Sequence, residues 1–322
     1  MAHMATDSTP TFCIRGGDYE HLIGLPGERL GFRFTFEPSS PNDIFKAMMH
    51  SRPYEVCEFS LANYLTLRAN GEGWVTAIPV FPNRAFRHGT LITRRDSDIL
   101  SPAQLGGRRI AVDDYTMTAA TWVRGLLEDE YGVDWRSITW VTGRNQRHAA
   151  PAGARIDFME GATEDLLLDG HADASLGFVV KDFQKPLHQR RLRTVLRDAE
   201  ATELAYYERT GIYPINHCVV VRTDVHRQHP GLLAAVAQSY VDAKREAYAR
   251  KIGSSLMPWA KNTWARVFDI FGGDPLPYGL TPVNRMVVGK LAGYLKAQGF
   301  IDEIPDIDAL FVLPEGIAFG EW

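Results

Sequence analysis

The chain has little cysteine, no long apolar run and no excess of one charge, and each shortage removes a class of protein. Its 3 cysteines, Cys13, Cys57 and Cys218, are odd in number and far apart. That spacing fits neither a disulfide framework nor a zinc or redox motif, and three buried thiols in a reducing compartment are expected. No segment reaches the ~18 continuous apolar residues of a membrane span. The opening MAHMATDSTPTF has no basic start followed by an apolar run, so no leader is read there and a cytoplasmic location is expected. Its first three residues read as an addition ahead of Met4. Lys plus Arg number 35 against 39 for Asp plus Glu, a net charge of -4. That balance argues against a nucleic-acid partner, which wants clustered positive charge. Also missing are a glycine-rich dinucleotide fingerprint, a P-loop, and any His-x-His or His-Glu-x-x-His spacing, so neither cofactor nor metal is expected.

What is present is an ordinary globular composition, 45% hydrophobic and 23% charged, over 322 residues. That length suffices for two domains, each with its own core. Strand and helix signals alternate, which predicts parallel α/β layers. Residues 11–15, 32–36, 54–59 and 75–81 read as strands. Ser40-Pro41-Asn42 reads as a helix start, and LANYLTLRANG as a helix stopped by Gly71. From Leu100 a second unit follows, with strands in RRIAV, 138–142, RIDFME and ADASLGF and a long helix after DYTMT. INHCVVVRTDV is a further strand, followed by a long helix, and the C-terminal part is helical apart from a break at GGDPLPYGLTP. The second unit, 93–205, looks inserted into the first, formed by 11–92 and 206–322. Two crossings between lobes create a cleft, where small ligands bind and which a hinge motion can close.

SPAQLGGRRIAV resembles the segment that opens the second lobe of type 2 periplasmic binding proteins. AIPVFPNRAFRH, taken with EFSLANYL, DYTMTAATWVRG, DEYGV, GIYPINHCVVVR and PYGLTPVNR, is similar to the 4,5-dihydroxyphthalate decarboxylase family. The matches run in order from about Asp18 to Phe311. Departures include Asn216, where an apolar residue is expected, Arg144 after Thr142-Gly143, and the stretch 147–155. The resemblance implies an α/β, two-lobed binding-protein fold reused for catalysis, with a ligand cleft between the lobes. The activity implied is removal of one carboxylate from a dihydroxylated benzene dicarboxylate without an organic cofactor.

That chemistry needs an acid aimed at a ring carbon, donors for carboxylates and a group that polarises hydroxyls. His217 is the first candidate for the acid, because imidazole gives and takes protons near neutral pH. His88 and Glu58 complete the catalytic candidates. Arg84 and Arg87 offer planar forks that pair with carboxylate through two parallel hydrogen bonds. Tyr115, Thr116 and Thr118 lead into a helix whose free N–H groups suit an anion, with plain N-capping by a threonine as the alternative. Glu58 and Asp18 are candidate partners for ring hydroxyls. Ser60 and Arg144 complete the substrate-binding set. His217, His88, Glu58 and Asp18 could surround one ion, but no local spacing supports it, and no metal is expected. The aromatic LMPWAKNTWARVFDIF reads as lobe core or a subunit contact, and a homo-oligomer is expected. Competing readings are a solute-binding protein for an aromatic carboxylate and a related-fold enzyme acting on another aromatic acid.

Overall fold

The computed structural model describes residues 9–178, 180–252 and 259–320. In chain order the first elements are β1 (Thr11–Gly16), β2 (Gly27–Arg29), β3 (Phe32–Pro38), α1 (Pro41–His50), β4 (Val56–Ser60), α2 (Leu61–Ala69) and β5 (Val75–Ile78). The middle of the chain forms β6 (Leu91–Arg94), β7 (Arg109–Ala111), α3 (Thr118–Tyr131), β8 (Thr139–Thr142), β9 (Ile156–Phe158), α4 (Thr163–Leu168), β10 (Ala174–Leu176), β11 (Leu192–Thr194) and α5 (Ala199–Thr210). The remainder is β12 (His217–Arg222), α6 (Thr223–Gln228), α7 (Leu232–Ile252), α8 (Ala260–Phe271), α9 (Pro282–Ala297) and α10 (Ile307–Leu310).

These strands make two six-stranded sheets, ordered β2-β3-β1-β4-β12-β5 and β11-β6-β10-β7-β8-β9. The first sheet is closed by β12, which returns after the whole second sheet and inserts antiparallel between β4 and β5. This is the two-lobed arrangement of periplasmic binding proteins. Within the second sheet β10, β7, β8 and β9 are parallel, while β6 and β11 add antiparallel strands at one edge.

Local chemistry sets the element ends that frame the cleft. Pro41 opens α1 at the position where a missing N–H costs nothing, and Ile44, Phe45 and Met48 form its buried face. The Ser60 hydroxyl accepts from the Asn63 N–H and caps α2 directly after β4. The lobes also pack on each other. Trp122 and Leu126 of α3 join the core cluster that holds Tyr64 of α2 and Leu291 of α9. The Trp122 indole N–H donates to the Ile215 carbonyl at 2.9 Å. Gly125 permits this approach, because a Cβ there would lie 2.4 Å from the Tyr294 ring.

The short strands β2, β6 and β11 and the helix α5 were not expected from the sequence. Strands of three or four residues are too short for a period of two to register. Cys57 and Cys218 are buried, but Cys13 is only half-buried. Of LMPWAKNTWARVFDIF, residues 256–258 lie outside the described residues. The remainder forms α8, where Trp264 and Phe268 pack on Tyr248 and Phe271 packs on Tyr207, while Trp259 stays exposed. No helix among the described residues is long and apolar enough to cross a membrane.

Candidate active site

Register brings the first pair together. In the antiparallel ladder of β4 and β12, His217 lies opposite Ser60 and Val219 lies opposite Glu58. Side chains two apart share a face of a strand, so Glu58 and His217 are diagonal neighbours on one face. Their contact is Nδ1 of His217 to Oε1 of Glu58 at 2.5 Å. Glu58 is fully buried, and two further donors stabilise its charge: the Gly17 N–H to Oε2 at 2.6 Å and the Tyr19 hydroxyl to Oε1 at 3.1 Å. Gly17 has to be glycine for this, since a Cβ would sit 2.3 Å from Cζ of Tyr19. Burial, reinforced by the neighbouring Glu58 carboxylate, raises the Tyr19 pKa, so the phenol keeps its proton and acts as a donor. The Tyr19 oxygen also accepts from Asn83 Nδ2 at 3.0 Å, and Asn83 Oδ1 accepts from Asn216 Nδ2 at 2.8 Å.

His217 faces a cavity of about 780 Å³ between the lobes. The first lobe supplies Asn42, Phe45, Ser60 and His217, and the second supplies Asp113, Thr118, Arg147, Phe178 and Phe183. Arg87, on the segment that leads into the second lobe, also lines it. Arg87 is 5% exposed, its Nε is buried without a hydrogen-bond partner, and among the described residues its side chain forms no ion pair. The guanidinium lies over the Phe178 ring at 5.3 Å. Burial lowers its pKa to about 10, which still leaves it charged at neutral pH. Glu203 is near enough to act on this charge but forms no ion pair with it, and a buried cation without a directly paired carboxylate, bordering an apolar cavity, is suited to an anion.

Of the residues expected at the site, His217, Arg87, Ser60 and Thr118 line this cavity and Glu58 stands behind His217. The others are placed elsewhere. Arg84 turns into the first lobe, where it donates to the Pro277 carbonyl at 2.9 Å and to Asn284 Oδ1 at 2.5 Å. His88 packs between Tyr131 and Tyr206, and burial lowers its pKa. Tyr115 belongs to the core of the second lobe, against Arg124 and Trp140. Thr116 spends both its N–H and its hydroxyl on Asp114. Arg144 is exposed, with its guanidinium over Phe158, and Asp18 is exposed outside the cavity lining. Nor does a threonine cap α3: the cap residue is Met117, and the Thr118 hydroxyl crosses to the other lobe, bonding Ser60 Oγ at 2.9 Å and the Ala62 N–H at 3.0 Å.

Sequence reasoning missed Tyr19, Asn42, Asn83, Asp113 and Arg147. The clue available for Asn42 was its place at the head of a helix that follows a strand, where side chains meet a cleft. Among the described residues no three His, Cys, Asp or Glu side chains converge as metal ligands.

Fold and cleft together define the class, a two-lobed solute-binding-protein architecture. A family described as the periplasmic substrate-binding protein of a phosphonate ABC transporter matches residues 19–256. The periplasmic aliphatic sulphonate binding protein SsuA of Escherichia coli superposes with a TM-score of 0.56, at 11% identity over 98% of this chain and 96% of that one. The alkanesulfonate-binding protein SsuA of Xanthomonas axonopodis pv. citri gives 0.54, at 12% identity over 93% and 96%. Within that architecture the chain belongs to the 4,5-dihydroxyphthalate decarboxylase family. It is 32% identical over 279 residues to the 4,5-dihydroxyphthalate decarboxylase of Comamonas testosteroni, covering 82% of this chain and 84% of the relative. It is also 37% identical over 153 residues to the enzyme of that name from Pseudomonas putida, covering 44% of this chain and 59% of the relative.

Proposed function

We propose that this protein is a carboxy-lyase that removes CO2 from a hydroxylated aromatic carboxylic acid, 4,5-dihydroxyphthalate or a close analogue, without an organic cofactor. The observation that carries this reading is the His217–Glu58 pair facing a cavity that also holds the unpaired Arg87. Glu58 holds Nδ1–H of His217, which leaves Nε2 to work on the ligand side. A protonated His217 delivers its Nε2 proton to the ring carbon that bears the departing carboxylate. A ring hydroxyl para to that carbon pushes electron density towards it as the proton arrives. The bond to the carboxyl carbon then breaks, its electron pair restores the aromatic ring, and CO2 leaves. One proton is consumed, and solvent restores it to His217. Arg87 pairs with a carboxylate through its fork, and the Phe178 and Phe183 wall receives the ring face.

The architecture is shared with carriers, so a protein that binds an aromatic carboxylate and returns it unchanged is the second reading. Mass spectrometry of hydroxylated benzoates and phthalates incubated with the protein, with and without chelator, separates the two. Loss of 44 mass units at unchanged rate in chelator supports the proposal, since CO2 has a mass of about 44. Tight binding with no CO2 released from any of these acids would assign the cleft to a carrier.

A further inference from the structure

Arg147 sits between β8 and β9 on the second lobe, lines the cavity, and is 7% exposed. Its own lobe holds it at the base. Asp114, fully buried, accepts the Arg147 backbone N–H at 2.9 Å and lies 3.8 Å from Nε. Asp114 itself is fixed by the Thr116 N–H at 2.8 Å and hydroxyl at 2.6 Å. From that post the guanidinium reaches across the cleft. Nη2 donates to Asn42 Oδ1 of α1 at 2.7 Å and Nη1 to Asn63 Oδ1 of α2 at 3.3 Å. The same guanidinium lies over the Phe45 ring at 5.1 Å, and Phe45 meets the His217 imidazole edge to face at 4.8 Å.

Three contacts to the first lobe, made by one planar group anchored on the second, fix the wall against which His217 rests. We infer that Arg147 is a positioning residue that clasps the second lobe to α1 and α2 and, through Phe45, holds the His217 ring in its working orientation. The catalytic part of this inference rests on the reading of His217 as the acid; the geometric part does not. The Asp114 charge opposes that of Arg147, so the role is separate from the anion pairing given to Arg87. Lysine at this position would keep the charge but lose the fork, and cannot engage both asparagines with the same geometry.

The test uses R147K, N42A and the double variant, with a thermal melt confirming folding. N42A removes a side chain whose hydrogen-bond partner among the described residues is Arg147. If R147K does not fold, N42A carries the test. The first readout is the NMR signal of the His217 ring protons, which the Phe45 ring current displaces. It should move in N42A and in R147K without any substrate present. The second is steady-state CO2 release. In R147K, kcat should fall about tenfold or more with KM within about threefold, because charge-assisted hydrogen bonds of this kind are worth about that factor or more. The double variant should be no slower than R147K. Unmoved His217 signals overturn the inference, whatever the activity. So does a KM that rises with kcat unchanged, which would make Arg147 a ligand-binding group, and so do losses that multiply in the double variant. Absence of CO2 release by the wild type defeats the decarboxylase reading and leaves the NMR readout to decide the positioning.

Discussion

His217 and Glu58 are joined across two antiparallel strands by a 2.5 Å contact that ties one imidazole nitrogen to a fully buried carboxylate. The bond fixes which nitrogen faces the cavity. H217A removes the proton donor, and CO2 release should fall by ~10²–10⁴-fold, the usual worth of general acid catalysis. E58Q keeps the shape but removes the charge, and should lower kcat in the same direction by a smaller factor. Steady-state kinetics on folded variants checks both. Activity of H217A within a few-fold of wild type would take His217 out of the chemistry.

Tyr19 donates to the same Glu58 oxygen that His217 contacts. In Y19F the Glu58 carboxylate loses one of the donors that fix it behind His217. CO2 release should slow by about fivefold, the rate equivalent of a hydrogen bond worth about 1 kcal/mol. Steady-state kinetics on the folded variant measures this, and an unchanged kcat would show that Tyr19 does not support the pair.

How much of this was legible in the sequence follows from where each side chain finds its partner. The strand and helix alternation, the inserted second unit and the strand through His217 could be read, because period and order are local properties. Glu58 and His217 could be singled out as residue types in family-like segments, but their contact depends on a register between strands 159 positions apart. Arg84 and Arg87 look equivalent in RAFRH. They separate only because Asn284, 200 positions later, captures Arg84 while Arg87 is left facing the cavity. Arg147 lay in a poorly matching stretch, and its partner Asn42 is 105 positions earlier. The Thr118 hydroxyl was expected at a helix start but is spent on Ser60, because β4 and α2 approach it from the other lobe. Tertiary contacts decided every one of these.

Arg87 carries the anion role in the proposed cleft. R87A should weaken binding of a ring carboxylate by about 10-fold to 100-fold, since hydrogen bonds to a charged group contribute about 1.5–3 kcal/mol. R87K should recover part of that loss, because the charge remains while the two-pronged geometry does not. Calorimetric titration with a hydroxylated benzoate, using the wild type and both variants, measures the effect. Equal affinity across the three would exclude Arg87 from ligand binding.

His88, which lies outside the cavity lining, makes a prediction about stability rather than activity. Burial holds its folded-state pKa below the ordinary histidine value, against Tyr131 and Tyr206, with Nδ1 unpartnered. Above about pH 6.5 the ring is neutral in both the folded and the unfolded chain and contributes no pH dependence. Below that value the unfolded chain takes up a proton that the folded chain resists. The unfolded state then binds more protons, so stability must fall as pH falls, until the depressed folded-state pKa is passed. H88F, which keeps an aromatic ring in that pocket but cannot titrate, should flatten this part of the curve. The measurement is the melting temperature of wild type and H88F from pH 7.5 down to about 5, a range that spans the ordinary histidine pKa. The difference between the two should change in favour of H88F as the solution is acidified, and parallel curves would mean that His88 does not contribute to acid sensitivity.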